Sequence, residues 1–247
     1  MEVAPKDRRF YSLPEKEKHV DLSGSTKTDS LIRYISENII GNDKVFSGPY
    51  GLRKVTYLDY TASGRGLKFI EDYIENEVLP DYGNTHTTTS ITSLQTTLYR
   101  HEARDIVRNA VHAGEHDSVI FCGNGTTAAI HKLIHALNLR EPPVVFVSPY
   151  EHHSVLLPWK EQGAKVLRIK EDQHGCVCLA DLTAKLQQWK TSGRQLIGCL
   201  SAASNITGML VDVDAVTVCL HRHGALAFWD YATAAPYVRI DMNPVNT

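Results

Sequence analysis

Beyond Val55 the chain repeats one pattern, a short run of apolar residues followed by a longer stretch in which apolar residues recur every third or fourth position. Unbroken apolar runs of about 4–8 residues fit strands buried on both faces, and the wider spacing fits amphipathic helices. The runs predict strands over residues 118–122, 144–147, 165–169, 196–200 and 225–229, and the spaced stretches predict helices over 126–137, 181–190 and 213–223. Strands that alternate with helices imply a mostly parallel sheet sandwiched by helical crossovers, an α/β fold. The chain before Val55 is different: polar, interrupted by Pro14, Gly24, Gly41 and Gly48-Pro49, with one helix expected over 29–40 and Asp29 or Ser30 as its N-cap. This pattern divides the chain into an N-terminal arm, 1–54, and a main domain, 55–247.

Composition narrows the classes of function. With 247 residues, 43% of them apolar, the chain has the length and composition to bury a substantial core, and a formal charge of −2 without Lys/Arg runs gives no footprint for nucleic acid. No apolar stretch approaches the roughly 18 residues of a membrane helix, and the charged start Met1–Arg9 lacks the apolar core of a signal peptide. The expectation is a soluble, intracellular chain without a membrane partner, cytoplasmic or mitochondrial. Cys122, Cys176, Cys178, Cys199 and Cys219 include no CxxC pair, so neither a disulfide framework nor a zinc ribbon is indicated. His221 and His223 have no carboxylate or cysteine beside them at ligand spacing, and no metal site is expected.

Three segments at predicted strand ends carry chemistry. After 118–122, Gly123-Asn124-Gly125 permits a sharp turn, and Thr126-Thr127 begin a helix whose free N–H groups and dipole favour an anion such as phosphate. The same residues through Ala128 also satisfy the dinucleotide fingerprint GxGxxG/A, although the acidic residue that would bind a ribose is missing at the expected distance; a plain glycine connector capped by Thr126 is the third reading. After 144–147 comes Glu151-His152-His153, where a histidine ring can stack on a flat cofactor and move protons near neutral pH, or simply cap a helix. After 225–229 comes Asp230, a carboxylate suited to a protonated pyridine nitrogen, or alternatively to the backbone amides of Ala232 and Thr233. In open parallel sheets, ligands gather outside the carboxyl ends of the strands, where all three segments are expected.

Taken in order, these segments resemble the class V aminotransferases, and most closely the cysteine-desulfurase branch of the fold-type I pyridoxal-phosphate enzymes. The resemblance begins at Tyr57-Leu58-Asp59-Tyr60-Thr61-Ala62-Ser63 and continues through Gly83–Ser90 and Arg100-His101-Glu102-Ala103-Arg104. Glu151-His152-His153 through Pro158-Trp159 is its most specific stretch; Ser204-Asn205-Ile206-Thr207-Gly208 and Asp230-Tyr231-Ala232-Thr233 complete it. It implies pyridoxal 5'-phosphate as cofactor, with Gly125, Thr126 and Thr127 at the phosphate, His152 stacked on the ring as a possible acid or base, Asn205 by the phenolic oxygen and Asp230 on the pyridine nitrogen. It further implies an amino-acid substrate, a C–S lyase or sulfur- or amino-transfer reaction, and a homodimer in the complete protein.

Departures from the family pattern limit the activity more than the fold. Ala128 stands where a glutamate commonly follows the phosphate-binding threonines, and Thr233 stands where a longer glutamine usually meets the ring oxygen. No lysine follows Lys190, so the Schiff-base lysine expected one strand beyond Asp230 is absent from this chain. The sequence therefore predicts the amino-terminal portion of such an enzyme, catalytically incompetent by itself. Two alternatives stand beside it: a non-catalytic binding protein on the same fold and, less favoured by spacing, an NAD-dependent oxidoreductase.

Overall fold

The computed structural model describes residues 10–12, 27–85, 87 and 89–244, which fall into two compact units, one up to Arg100 and one from His101. In the first unit, strands β1 (Phe10–Ser12), β2 (Lys44–Gly48) and β3 (Gly51–Lys54) form an antiparallel sheet. Gly48 and Gly51 face each other across a two-residue turn, which Gly51 closes with φ +90°, a conformation natural only to glycine. The expected N-terminal helix is present as α1 (Lys27–Glu37), but Leu31, Ile32 and Tyr34 on it are exposed. The ring of Tyr34 stacks on Phe69 of α2 (Lys68–Tyr73), which runs into a π-helical turn at Ile74–Val78. Helix α3 (Ile91–Ala110) follows.

The second unit carries the predicted alternation. Helices α4 (Gly125–Leu137), α5 (His153–Glu161), α6 (Leu179–Trp189) and α7 (Val213–Arg222) interleave with strands β4 (Val144–Val147), β5 (Lys165–Arg168), β6 (Leu196–Ser201) and β7 (Leu226–Asp230). The four strands are all parallel in the order β5-β4-β6-β7. Side chains alternate across the two central strands as the pleat requires. Val144 and Phe146 of β4 with Leu196 and Leu200 of β6 pack on α6 and α7, while Val145, Val147, Ile197 and Cys199 pack on α4 and α5. Every residue of β4 and β6 is buried, which is why both strands read as unbroken apolar runs. Among the described residues no helix is long and apolar enough to cross a membrane.

Gly198 shows how tightly this core is closed. A Cβ built there would lie 2.3 Å from Cδ1 of Leu220, a fully buried side chain with no room to retreat. Gly198→Ala is expected to lower stability by about 1–3 kcal/mol through overpacking. Denaturant unfolding of the two proteins checks this, with a fall in midpoint expected and equal midpoints counting against such close packing of α7 on β6.

One predicted strand is absent. Residues 118–122 have no regular secondary structure and join no strand, and Ile120 and Phe121 are more than half exposed. An apolar run describes a segment able to be buried in a sheet; a strand also needs a neighbour offering backbone donors and acceptors. Among the described residues, neither the outer edge of β5 nor that of β7 pairs with this segment.

Candidate functional site

Helix α4 begins at a sharp double turn. Asn124 (φ 60°) and Gly125 (φ +66°) are both left-handed and swing the chain into the helix, and no side chain caps the end they create. A Cβ added at Gly123 or Gly125 would meet nothing within 4 Å, and the hydroxyls of Thr126 and Thr127 bond no described residue. The result is an open helix N-terminus with unmatched N–H groups, a place that favours an anion. Its position follows from the other end of the helix. His135, Asn138 and Leu139 close a cavity of about 300 Å³ with Pro142, Pro143 and Gln162, beside the amino end of β4 and the last turn of α5. The amino end of α4 therefore points toward the carboxyl ends of the strands. Because residues 118–122 lie outside the sheet, the glycine turn lacks the strand–turn–helix setting that a dinucleotide fingerprint requires.

His152 lies just past β4 and is the N-cap of α5. Its Nδ1 accepts from the Ser154 amide at 3.2 Å and lies 2.9 Å from Ser154 Oγ. Acceptance at Nδ1 places the proton of the neutral ring on Nε2, which leaves an exposed flat ring with an outward donor. The capping role weighed in the sequence is thus real, and it fixes the ring without occupying its face.

Asp230 is the last residue of β7, and its Oδ1 accepts from the Ala232 amide at 2.8 Å, one of the two backbone contacts foreseen for a purely structural aspartate. Its Oδ2 bonds no described residue and remains able to accept. Asn205 sits exposed on the turn after β6, which is shaped by buried Ser204: Ser204 Oγ accepts from the amides of Ile206 and Thr207, and its carbonyl accepts from Gly208. Thr233 is partly buried in the turn following Asp230, and its hydroxyl bonds no described residue.

What joins these pieces is a residue to which the sequence assigned no role. Glu151 Oε1 accepts from the Ser148 amide (3.1 Å), Ser148 Oγ (2.6 Å) and the Ser201 amide (3.0 Å), and Oε2 accepts from Ser201 Oγ (2.7 Å). Burial pushes its carboxyl above the usual value, while the four donors from Ser148 and Ser201 pull the other way. Ser201 is the register partner of Asp230, and the Ala202 amide donates to the Asp230 carbonyl. His152, Asn205 and Asp230 therefore stand at the same carboxyl end of one parallel sheet. A serine three residues before Glu151 is a visible local signal; its partner fifty residues later is not.

Cys199 lies in the core of the sheet. Burial pushes the Cys199 thiol up to about 12, and the nearby indole N–H of buried Trp159 has no hydrogen-bond partner among the described residues. Among the described residues no cluster of His, Cys, Asp and Glu is arranged to hold a metal ion.

A parallel α/β sheet covered on both faces, with its polar groups collected at the carboxyl ends, fits the fold-type I class, an assignment that rests on the solved structures it superposes on. The chain belongs to the aminotransferase class V family, whose profile matches residues 56–247. A probable cysteine desulfurase of Halalkalibacterium halodurans is 28% identical over 199 residues, covering 76% of this chain and 47% of the relative. The corresponding Staphylococcus aureus protein is 30% identical over 205 residues, covering 78% and 47%. The apo cysteine desulfurase of Thermococcus onnurineus NA1 superposes with a TM-score of 0.66 at 24% identity, over 76% of this chain and 47% of that one. A NifS-like protein of Rickettsia africae gives 0.65 at 19%, over 76% and 50%. The chain thus spans about half the length of the curated relatives it matches.

Proposed function

We propose that this chain supplies the phosphate and ring contacts of a pyridoxal 5'-phosphate site in an enzyme that acts on an amino acid, eliminating or transferring its β-substituent, sulfur in the desulfurase case. The observation that supports this most is the placement of His152 and Asp230 at the same end of one parallel sheet within the family match. The residues present fit the group: an uncapped helix N-terminus with open space before it, an exposed imidazole face, and a carboxylate oxygen left free. In this reading Gly125, Thr126 and Thr127 hold the phosphate, and His152 lies on the ring with Nε2–H facing outward. Asp230 keeps a proton on the pyridine nitrogen, Asn205 meets the phenolic oxygen, and Thr233 reaches the same atom through a water. When bound, the cofactor supplies an electron sink for charge at the substrate's α-carbon.

Covalent attachment and proton transfer at that carbon need an amine that this chain does not offer at the matching place, since no lysine follows Lys190. We assign both to the part of the relatives' length that this chain does not span, and the chain alone is catalytically silent in this reading. Residues 55–247 form the cofactor domain and 1–54 the arm; the complete enzyme is a cytoplasmic homodimer.

Mixing the chain with pyridoxal phosphate and removing excess by gel filtration tests the site. Retained visible absorption with induced circular dichroism is expected, together with no covalent fixation at a defined lysine after borohydride. Absence of any retained signal, with pyridoxamine phosphate as well, would overturn the assignment.

A further inference from the structure

Glu151 carries a largely buried carboxylate that takes four hydrogen bonds from two serines on different strand ends. Ser148 is fully buried just past β4, and Ser201 is buried at the end of β6. One carboxylate therefore spans the carboxyl ends of two neighbouring parallel strands, beyond the point where their backbone ladder has stopped. On one side it is covalently next to His152, whose ring orientation is set by its cap on Ser154. On the other it holds the residue that lies in register with Asp230.

We propose that Glu151 is a positioning residue for the cofactor ring: its carboxylate fixes the distance and angle between the His152 face and the Asp230 carboxylate, and so the width of the slot between them. The inference rests on the reading of those two residues as ring contacts. Chemistry favours a carboxylate over other side chains here. Three donors converge on Oε1 and a fourth on Oε2, and the two oxygens of a carboxylate have the acceptor capacity to satisfy them together. A glutamine keeps Oε1 for the three converging donors and turns its amide to Ser201 Oγ, which rotates to accept. An alanine leaves all four donors without a partner, and the two strand ends are then free to drift apart.

The test uses the full chain and pyridoxamine 5'-phosphate, a probe whose binding needs no covalent link. Calorimetric titration is performed on the wild type, Glu151→Ala, Glu151→Gln, His152→Ala and the Glu151→Ala/His152→Ala double variant. Glu151→Ala is expected to weaken binding about tenfold, Glu151→Gln to stay within about twofold of wild type, and the Glu151→Ala loss to vanish when His152 is already alanine. An equal loss in both backgrounds would mean that Glu151 merely supports the fold, and would overturn the proposal. Hydrogen exchange at the Ser154 amide, measured without ligand, separates this from the reading beneath it. If the wild type takes up no probe, or His152→Ala binds as well as wild type, the ring-contact reading fails. In that case faster Ser154 exchange in Glu151→Ala still supports the positioning of His152, and unchanged exchange overturns it.

Discussion

Replacing Asp230 with asparagine is expected to weaken binding of pyridoxal phosphate about 10- to 100-fold while leaving the unfolding transition in place, because the lost term is a charge-assisted hydrogen bond worth about 1.5–3 kcal/mol. The choice of asparagine matters. Asp230 Oδ1 accepts from the Ala232 amide, and an asparagine oxygen keeps that contact. What it removes is the negative charge that would hold a proton on the pyridine nitrogen. Asp230→Ala removes both, so the pair separates the structural role of this side chain from its role toward a ligand. If asparagine binds like wild type and only alanine is impaired, Asp230 is a turn-forming residue and the ring-nitrogen assignment is lost. Equal affinity in all three proteins, read by isothermal titration, would remove Asp230 from the site altogether.

The second large effect concerns the chain as a solute. The outer edge of β7 pairs with no described strand, and the neighbouring groove of about 450 Å³ is lined by apolar groups that include Ile130, Leu133, Phe228 and Met242. Ile120 and Phe121 add exposed apolar surface from the segment that joins no sheet. Unpaired edge donors next to exposed apolar side chains favour association between chains. The chain expressed alone is therefore expected to elute from size exclusion with a concentration-dependent oligomer fraction and to melt irreversibly on heating. Changing Ile120 and Phe121 together to serine should raise the monomer fraction. A monodisperse wild-type sample with a sharp, reversible melt would contradict this expectation.

Periodicity carried much of the fold. The central strands β4 and β6 and the helices α4, α6 and α7 stand where their apolar spacing predicts, within a few residues at their ends, because burial on two faces or one leaves a local imprint on the sequence. Residues 118–122 carry the same imprint and still form no strand. Their apolar side chains were legible; the presence of a pairing partner was not. The antiparallel sheet of the first unit was also missed, since β3 is exposed along its length and shows no apolar alternation to detect.

For the site, sequence by itself determined the chemical inventory: an open helix start at Gly125-Thr126-Thr127, a histidine and an aspartate at strand ends, and no lysine beyond Lys190. These are properties of residue types and local spacing, which a linear chain displays directly. Only the tertiary structure decided that the turn after β4 is tied to β6, that Ser201 stands in register with Asp230, and that Glu151 makes the connection. Such contacts join residues far apart in sequence through the parallel pairing of the sheet, and a carboxylate that satisfies donors on two strands has no local signature until the strands lie side by side.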